Sequence, residues 1–224
     1  MRAQKPAVVY LVRHGHSTAN AKSVLAGRDF KVKLSKSGQS QALSLASYLR
    51  DVEFAGFYSS PLPRCLETLQ PLLANHGGAI IEELLGVIEM EYGDWSGKKL
   101  ATLSRNKLWR TIQDRPSLVR FPSGESFMEM QNRALESVRQ VAIPGKNILI
   151  CSHGDVIKAI VSGFLGLHLD QFQRITIDPA SITKIVISGD SAKLLSLNES
   201  VSLMPKEEIN RKEDNLNLGG GSGR

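Results

Sequence analysis

Apolar positions along the chain alternate between short unbroken runs and longer stretches with a helical repeat. The first run, Ala7-Val8-Val9-Tyr10-Leu11-Val12, is rich in β-branched residues and predicts a strand buried on both faces of a sheet. Between Ser35 and Arg50 the period changes. Ala42, Leu45, Ala46 and Leu49 fall at i, i+3, i+4 and i+7, which predicts an amphipathic helix capped by Ser35 or Ser37. Phe54 to Tyr58 predicts a second strand, and a helix follows from Leu62 to Ala74. The Gly77-Gly78 pair separates that helix from Ala79-Ile80-Ile81, a third strand. Residues 89 to 121, interrupted by Gly93, Gly97 and Pro116, predict loops and short helices outside the sheet. Gly124 to Ala142 carries the longest helical pattern, and Pro144-Gly145 ends it. Asn147 to Cys151 is another buried-type strand, Val156 to Leu165 reads as helix, and strands near Ser181–Ile187 and Ala192–Leu197 complete the series. This β/α alternation predicts a three-layer α/β/α sandwich with a mainly parallel central sheet.

Composition narrows the class. With 224 residues, 42% hydrophobic and 22% charged, the chain suits one domain, residues 1–204, with 89–121 as a cap or insertion. From Pro205 the sequence turns polar and ends Gly219-Gly220-Gly221-Ser222-Gly223-Arg224, so 205–224 is expected to be a disordered tail. No apolar run approaches the roughly 20 residues that span a bilayer, and the start leads straight into a strand, so a cytoplasmic protein is expected. Cys65 and Cys151 are too few for a disulfide framework and are not spaced as metal ligands. The net charge of +6 fits nucleic acid, a membrane surface or a small anion as partner. Basic residues come singly or in pairs, with no zinc-finger spacing and no aromatic platform, so a small anionic substrate is expected rather than nucleic acid or membrane. Nothing in the sequence specifies an oligomeric state.

Three predicted strand ends carry the chemistry. Arg13-His14-Gly15 follows the first strand, Ser59-Ser60-Pro61-Leu62-Pro63-Arg64 the second, and Ser152-His153-Gly154 the strand at 147–151. In an open α/β sheet these fall at the carboxyl edge, where ligands bind. Two guanidinium forks and two imidazoles gathered there suit a phosphoryl group, because arginine grips phosphate oxygens bidentately. Their positive charge favours a neutral His14 with a ring nitrogen free to attack phosphorus. Such transfer needs positioning and charge stabilisation, and this set supplies both without a metal or cofactor. A leaving alkoxide also needs a proton. Glu89 and Glu91 are both candidates, and spacing does not choose between them.

The motifs Leu-x-Arg-His-Gly-x-Ser-x-x-Asn, Ser-Ser-Pro-Leu-x-Arg, Glu-x-x-Tyr-Gly-x-Trp-x-Gly, Pro-x-Gly-Glu-Ser and Ser-His-Gly follow one another in this chain. Together they resemble the histidine phosphatase superfamily, also called phosphoglycerate mutase-like, over about residues 7 to 198. The resemblance implies that His14 is the phosphorylated nucleophile and that Arg13, Arg64 and His153 hold the phosphoryl group, with Asn20 nearby. It also implies that Glu89, four residues before Gly93, first protonates the leaving group and then activates water. Cofactor-dependent mutases of the superfamily carry Glu-Arg-His-Tyr-Gly, whereas this chain has Glu89-Met90-Glu91-Tyr92-Gly93, a departure that favours hydrolysis over phosphomutase activity. The stretch from Phe172 to Ser181 resembles a bacterial phosphatase or phosphomutase branch, a likeness that names no substrate.

Further substrate contacts are expected from Ser17, Arg28, Ser123, Glu125 and Gly154, with Lys31 at the rim. Ser123 and Glu125 precede a helix whose amino end favours anions, although Glu125 is equally a helix-start residue. Between Lys98 and Phe121 stand seven basic residues, Lys98, Lys99, Arg105, Lys107, Arg110, Arg115 and Arg120, against the single acid Asp114. Either they meet a second anionic group on a polyanionic substrate or they form a solvated face. Trp109 is either cap core or a substrate platform. The sequence also admits two other readings. His14-Gly15-His16 also resembles an amidohydrolase metal motif, with His76, His153 and His168 as further ligands, but that barrel needs a longer chain. The phosphate pocket could alternatively belong to a non-catalytic binding protein.

Overall fold

The computed structural model describes residues 5–201. The tail expected at 205–224 lies outside the described residues. Six strands form one sheet: β1 (Ala7–Arg13), β2 (Gly56–Ser59), β3 (Ile81–Glu83), β4 (Asn147–Ser152), β5 (Ile182–Ser188) and β6 (Ser191–Glu199), in the order β3-β2-β4-β1-β5-β6. β3, β2, β4 and β1 run parallel, whereas β5 pairs antiparallel with β1 and β6 antiparallel with β5. The two-residue link Gly189-Asp190, with Gly189 at φ +57°, leaves room only for a hairpin between β5 and β6.

Both faces of the sheet are apolar because alternate strand residues feed different cores. Val9, Leu11, Ile148, Ile150 and Ile185 point to one side, where they pack with Phe127, Met130, Val156 and Ile160. Val12, Leu149, Cys151 and Ile182 point to the other, against Leu45, Leu49, Leu69 and Leu72. The helices α2 (Lys36–Tyr48) and α3 (Pro63–Asn75) supply that second layer, and α6 (Phe127–Val141) and α7 (Gly154–Phe164) the first. Ser35 caps α2 through the Gly38 N–H, and Ser126 caps α6 in a box with Glu129. The segment 93–121 adds the short helices α4 (Leu100–Leu103) and α5 (Lys107–Asp114), and buries Trp95, Ile112, Val119 and Phe121 in the same core as α6. One further helical turn, α1 (Thr18–Ala21), follows β1. Among the described residues no helix is long and apolar enough to cross a membrane.

Two details differ from the pattern reading. The third strand begins at Ile81, two residues late, and Ile80 is 84% exposed, because the left-handed turn at Gly77 and Gly78 delays entry to an edge that pairs only with β2. α7 begins at Gly154, two residues before the predicted Val156. Gly154 through Ser162 are all buried, so the Asp155 and Lys158 side chains enter the core.

Candidate active site

Strand register brings the three motif ends level. Arg13 pairs with Ser152 and Ser59 with Cys151, and the ladder continues through His14 N to Ser152 O (3.0 Å) and Ser60 N to Cys151 O (2.9 Å). His14, Ser60 and His153 therefore leave the sheet side by side. Arg64 joins them from the first turn of α3, and His153 immediately precedes α7. The amino ends of both helices lie at this edge, where their dipoles favour negative charge.

The side chains converge. The His14 and His153 rings are 5.2 Å apart between centroids. Arg64 Nη2 lies 3.3 Å from His153 Nδ1 and 4.0 Å from Glu89 Oε2, and His153 Nδ1 is 3.6 Å from the same carboxylate oxygen. Arg13 Nη1 donates to Ile177 O at 2.6 Å and Arg64 Nη2 to Gly27 O at 2.9 Å, which anchors each guanidinium from behind. Arg64 Nε and Nη1 are buried without a hydrogen-bond partner, an arrangement that favours an incoming anion. Arg13, Arg64 and His153 are at most 1% exposed, whereas His14 retains 4% and Glu89 6%. The surface left open to a ligand thus belongs to the imidazole and the carboxyl group.

Hydrogen bonding assigns the reactive nitrogen. His14 Nδ1 lies 2.7 Å from Gly15 O, a carbonyl that only accepts, so Nδ1 carries the proton and Nε2 keeps its lone pair. Burial, then Arg64 and Arg13, hold the His14 pKa well below the usual histidine value; burial, Arg64 and His14 do the same to His153. Both rings are neutral at pH 7. Burial, reinforced by Asp155, pushes Glu89 up to about 7, against the opposing pull of Arg64, the Met90 N–H and Arg13. A carboxyl group poised there can both give and take a proton near neutrality.

A second layer of polar side chains was not legible in the sequence. Ser60 Oγ is 2.8 Å from His153 Nε2, and Thr68 Oγ1 accepts from Gly15 N at 2.9 Å while donating to Arg64 O at 2.6 Å. Tyr92 donates to Asp155 Oδ2 at 2.6 Å, and Lys158 sits 3.8 Å from Asp155 Oδ1 and 3.2 Å from Gln173 Oε1. Lys158 inside the apolar run Val156-Ile157-Ala159-Ile160-Val161, with Asp155 just before it, was the available signal for this network.

Of the other expected contacts, several are engaged with neighbours in the fold. Ser17 caps α1, with its N–H and hydroxyl both directed to Asn20 Oδ1 at 2.9 and 2.7 Å. Arg28 and Glu125 bond each other at 3.0 Å, within a cluster that includes Glu91 and Arg133. Ser123 is an exposed left-handed turn residue, Lys31 is exposed, and Gly154 opens α7. All seven basic residues of 98–120 are exposed, with Arg110 paired to Asp114 and Arg120 to Glu129. Trp109 stacks on Trp95 at 6.4 Å and packs, partly buried, against the core. His16 bonds Ser35 Oγ, His76 bridges the Leu72 and Val52 carbonyls, and His168 is exposed at the start of a 3-10 turn. The open six-stranded sheet is not the barrel that the amidohydrolase reading requires, and among the described residues no group of three or more His, Cys, Asp or Glu side chains is arranged to hold a metal ion.

Residues 9–200 match the sequence model of the histidine phosphatase superfamily, branch 1. The chain belongs to that superfamily. It is 30% identical over 197 residues to "Putative phosphoserine phosphatase 2" of Hydrogenobacter thermophilus, covering 85% of this chain and 95% of that protein. It is 28% identical over 193 residues to a 2,3-bisphosphoglycerate-dependent phosphoglycerate mutase of Thermoplasma acidophilum, covering 85% and 91%. Among solved structures it superposes on Bacillus stearothermophilus YhfR with a TM-score of 0.80 at 27% identity, over 87% of this chain and 99% of that one.

Proposed function

We propose that this protein hydrolyses a small phosphate monoester through a phosphohistidine on His14. The observation that carries the reading is the neutral His14 ring, its Nδ1 tied to Gly15 O, set beside two buried guanidiniums and a carboxyl group that titrates near neutrality. In the first step Nε2 attacks phosphorus, the ester P–O bond breaks, and the Glu89 proton passes to the leaving oxygen. Arg13, Arg64 and His153 hold the three remaining phosphoryl oxygens, with the Asn20 amide and the Gly154 N–H as further donors. In the second step the Glu89 carboxylate takes a proton from water, whose oxygen attacks phosphorus and releases inorganic phosphate and free His14. The relative named for phosphoserine makes that ester the first substrate to try.

A phosphomutase shares the first step and is supported by the Thermoplasma relative. The two activities differ in where the phosphoryl group goes. Incubation with labelled phosphoserine and phosphoglycerates is expected to give acid-labile label on the wild type, none on His14→Ala, and inorganic phosphate as product. Label recovered on a second sugar acid would make it a mutase, and equal labelling of wild type and His14→Ala would sink the phosphohistidine. Ligand binding with neither label nor turnover would establish the non-catalytic reading.

A further inference from the structure

The backbone that carries Glu89 has no ladder of its own. After the 3-10 turn Leu85–Val87, the chain passes through Ile88, Glu89 and Met90 without helix or strand. Polar backbone groups in such a segment must be met by side chains or stay unpaired. Arg133, in the second turn of α6, meets them. Its Nη1 donates to Gly86 O at 2.7 Å and Ile88 O at 2.8 Å, and its Nη2 to Glu89 O at 3.2 Å. The other edge of the guanidinium forks onto Glu125, Nε to Oε2 at 3.0 Å and Nη2 to Oε1 at 2.6 Å, so each of its five N–H groups has an acceptor. Glu125 Oε1 also accepts the Glu91 N–H at 2.8 Å, which pins the far side of the acid.

A second guanidinium shares these acceptors. Arg28 Nε donates to Glu89 O at 2.9 Å, Nη2 to Glu125 Oε1 at 3.0 Å, and Nη1 lies 3.4 Å from Glu91 Oε2. Its neighbour Gly27 accepts from Arg64, so adjacent residues of one loop hold a phosphate-binding guanidinium and the acid in fixed relation. The 85–89 turn also sits hard on α6. A Cβ at Gly86 would fall 1.7 Å from Ser137 Oγ and 2.8 Å from Arg133 O.

We propose that Arg133, locked by Glu125 and assisted by Arg28, is a positioning residue that aims the Glu89 carboxyl group at the leaving-group oxygen. The proposal rests on the reading of Glu89 as general acid. Glu125 then serves the aim of the acid rather than the substrate. A lysine at 133 cannot take over, because a single ammonium cannot span three carbonyls while forking onto a carboxylate.

Leaving-group dependence tests the idea, since a misaimed acid matters only where the departing oxygen needs its proton. Full-length wild type, Arg133→Lys and Glu89→Gln would be compared by kcat/KM, which stops at phosphoenzyme formation, on an alkyl phosphate such as phosphoserine and on p-nitrophenyl phosphate. Glu89→Gln is expected to lose about 10²- to 10⁴-fold on the alkyl ester and far less on the aryl ester. Arg133→Lys is expected to repeat that selectivity at smaller amplitude, about tenfold on the alkyl and about twofold on the aryl ester, a partial loss of the same acid. Equal losses on both esters in Arg133→Lys, beside a selective loss in Glu89→Gln, would overturn the positioning role and leave the acid assignment standing. A Glu89→Gln variant without selectivity would remove the assignment and the inference together. If Arg133→Lys does not unfold cooperatively, Glu125→Gln, which removes the charge that locks both arginines, is read by the same criteria.

Discussion

Glu89→Gln should make the protein more stable while disabling it. The buried Glu89 carboxyl is raised from an ordinary 4.5 to about 7, mainly by burial and then by Asp155. An acid whose folded value lies above its unfolded one imposes no penalty below about pH 4.5, where both states are protonated. As pH rises the unfolded chain ionises first, and the penalty grows until the folded group also ionises near 7. At about 1.4 kcal/mol per pH unit, the full cost above pH 7 is about 3 kcal/mol, and at pH 5 it is below about 1 kcal/mol. Glutamine keeps the shape and cannot ionise, so urea unfolding at pH 8 should show the variant more stable by about 2 to 3 kcal/mol, with the gap closing toward pH 5. A gap that does not change with pH, or a variant less stable than wild type at pH 8, would refute the account of why Glu89 titrates near neutrality.

Three other outcomes follow from the same geometry. Because His14 is held neutral and Glu89 must be protonated to act as acid, kcat/KM should fall as pH rises through about 7, and Glu89→Gln should lack that limb; a stopped-flow pH profile decides it. Tyr92→Phe removes the hydroxyl that donates to buried Asp155 at 2.6 Å and should cost about 1 to 3 kcal/mol in urea unfolding, the range for taking a donor from a buried acceptor. A cost under about 0.5 kcal/mol would mean Asp155 has another adequate donor. Gly86→Ala forces the 85–89 turn off α6 and should lower both stability, by about 1 to 3 kcal/mol, and kcat/KM. Adding Ser137→Ala should restore only part of each, since the Arg133 carbonyl still obstructs the new methyl.

How much of this protein could be read beforehand depended on how local the cause was. The strands at 7–13 and 147–152 were legible because burial on both faces demands an unbroken apolar run. α2 and its Ser35 cap were legible because period and cap lie within a few residues of each other. Edges were less so: Ile80 is as apolar as any strand residue, yet it stands exposed because the strand it precedes has only one partner.

The sequence by itself named the candidate reacting groups. His14, Arg13, Arg64, Glu89 and His153 sit at motif positions, and three of them are fixed to the edge of the sheet simply by following a strand or starting a helix. Only the tertiary structure decided their chemical state. Burial removes water from both imidazoles and from Glu89, and that, more than any neighbour, sets which of them carries a proton. It also decided what Arg28 and Glu125 do. In the sequence they are a cation and an anion 97 positions apart, either able to face a ligand. In the fold they meet Arg133 behind Glu89, because the irregular segment bearing the acid needs hydrogen bonds that only distant side chains can bring.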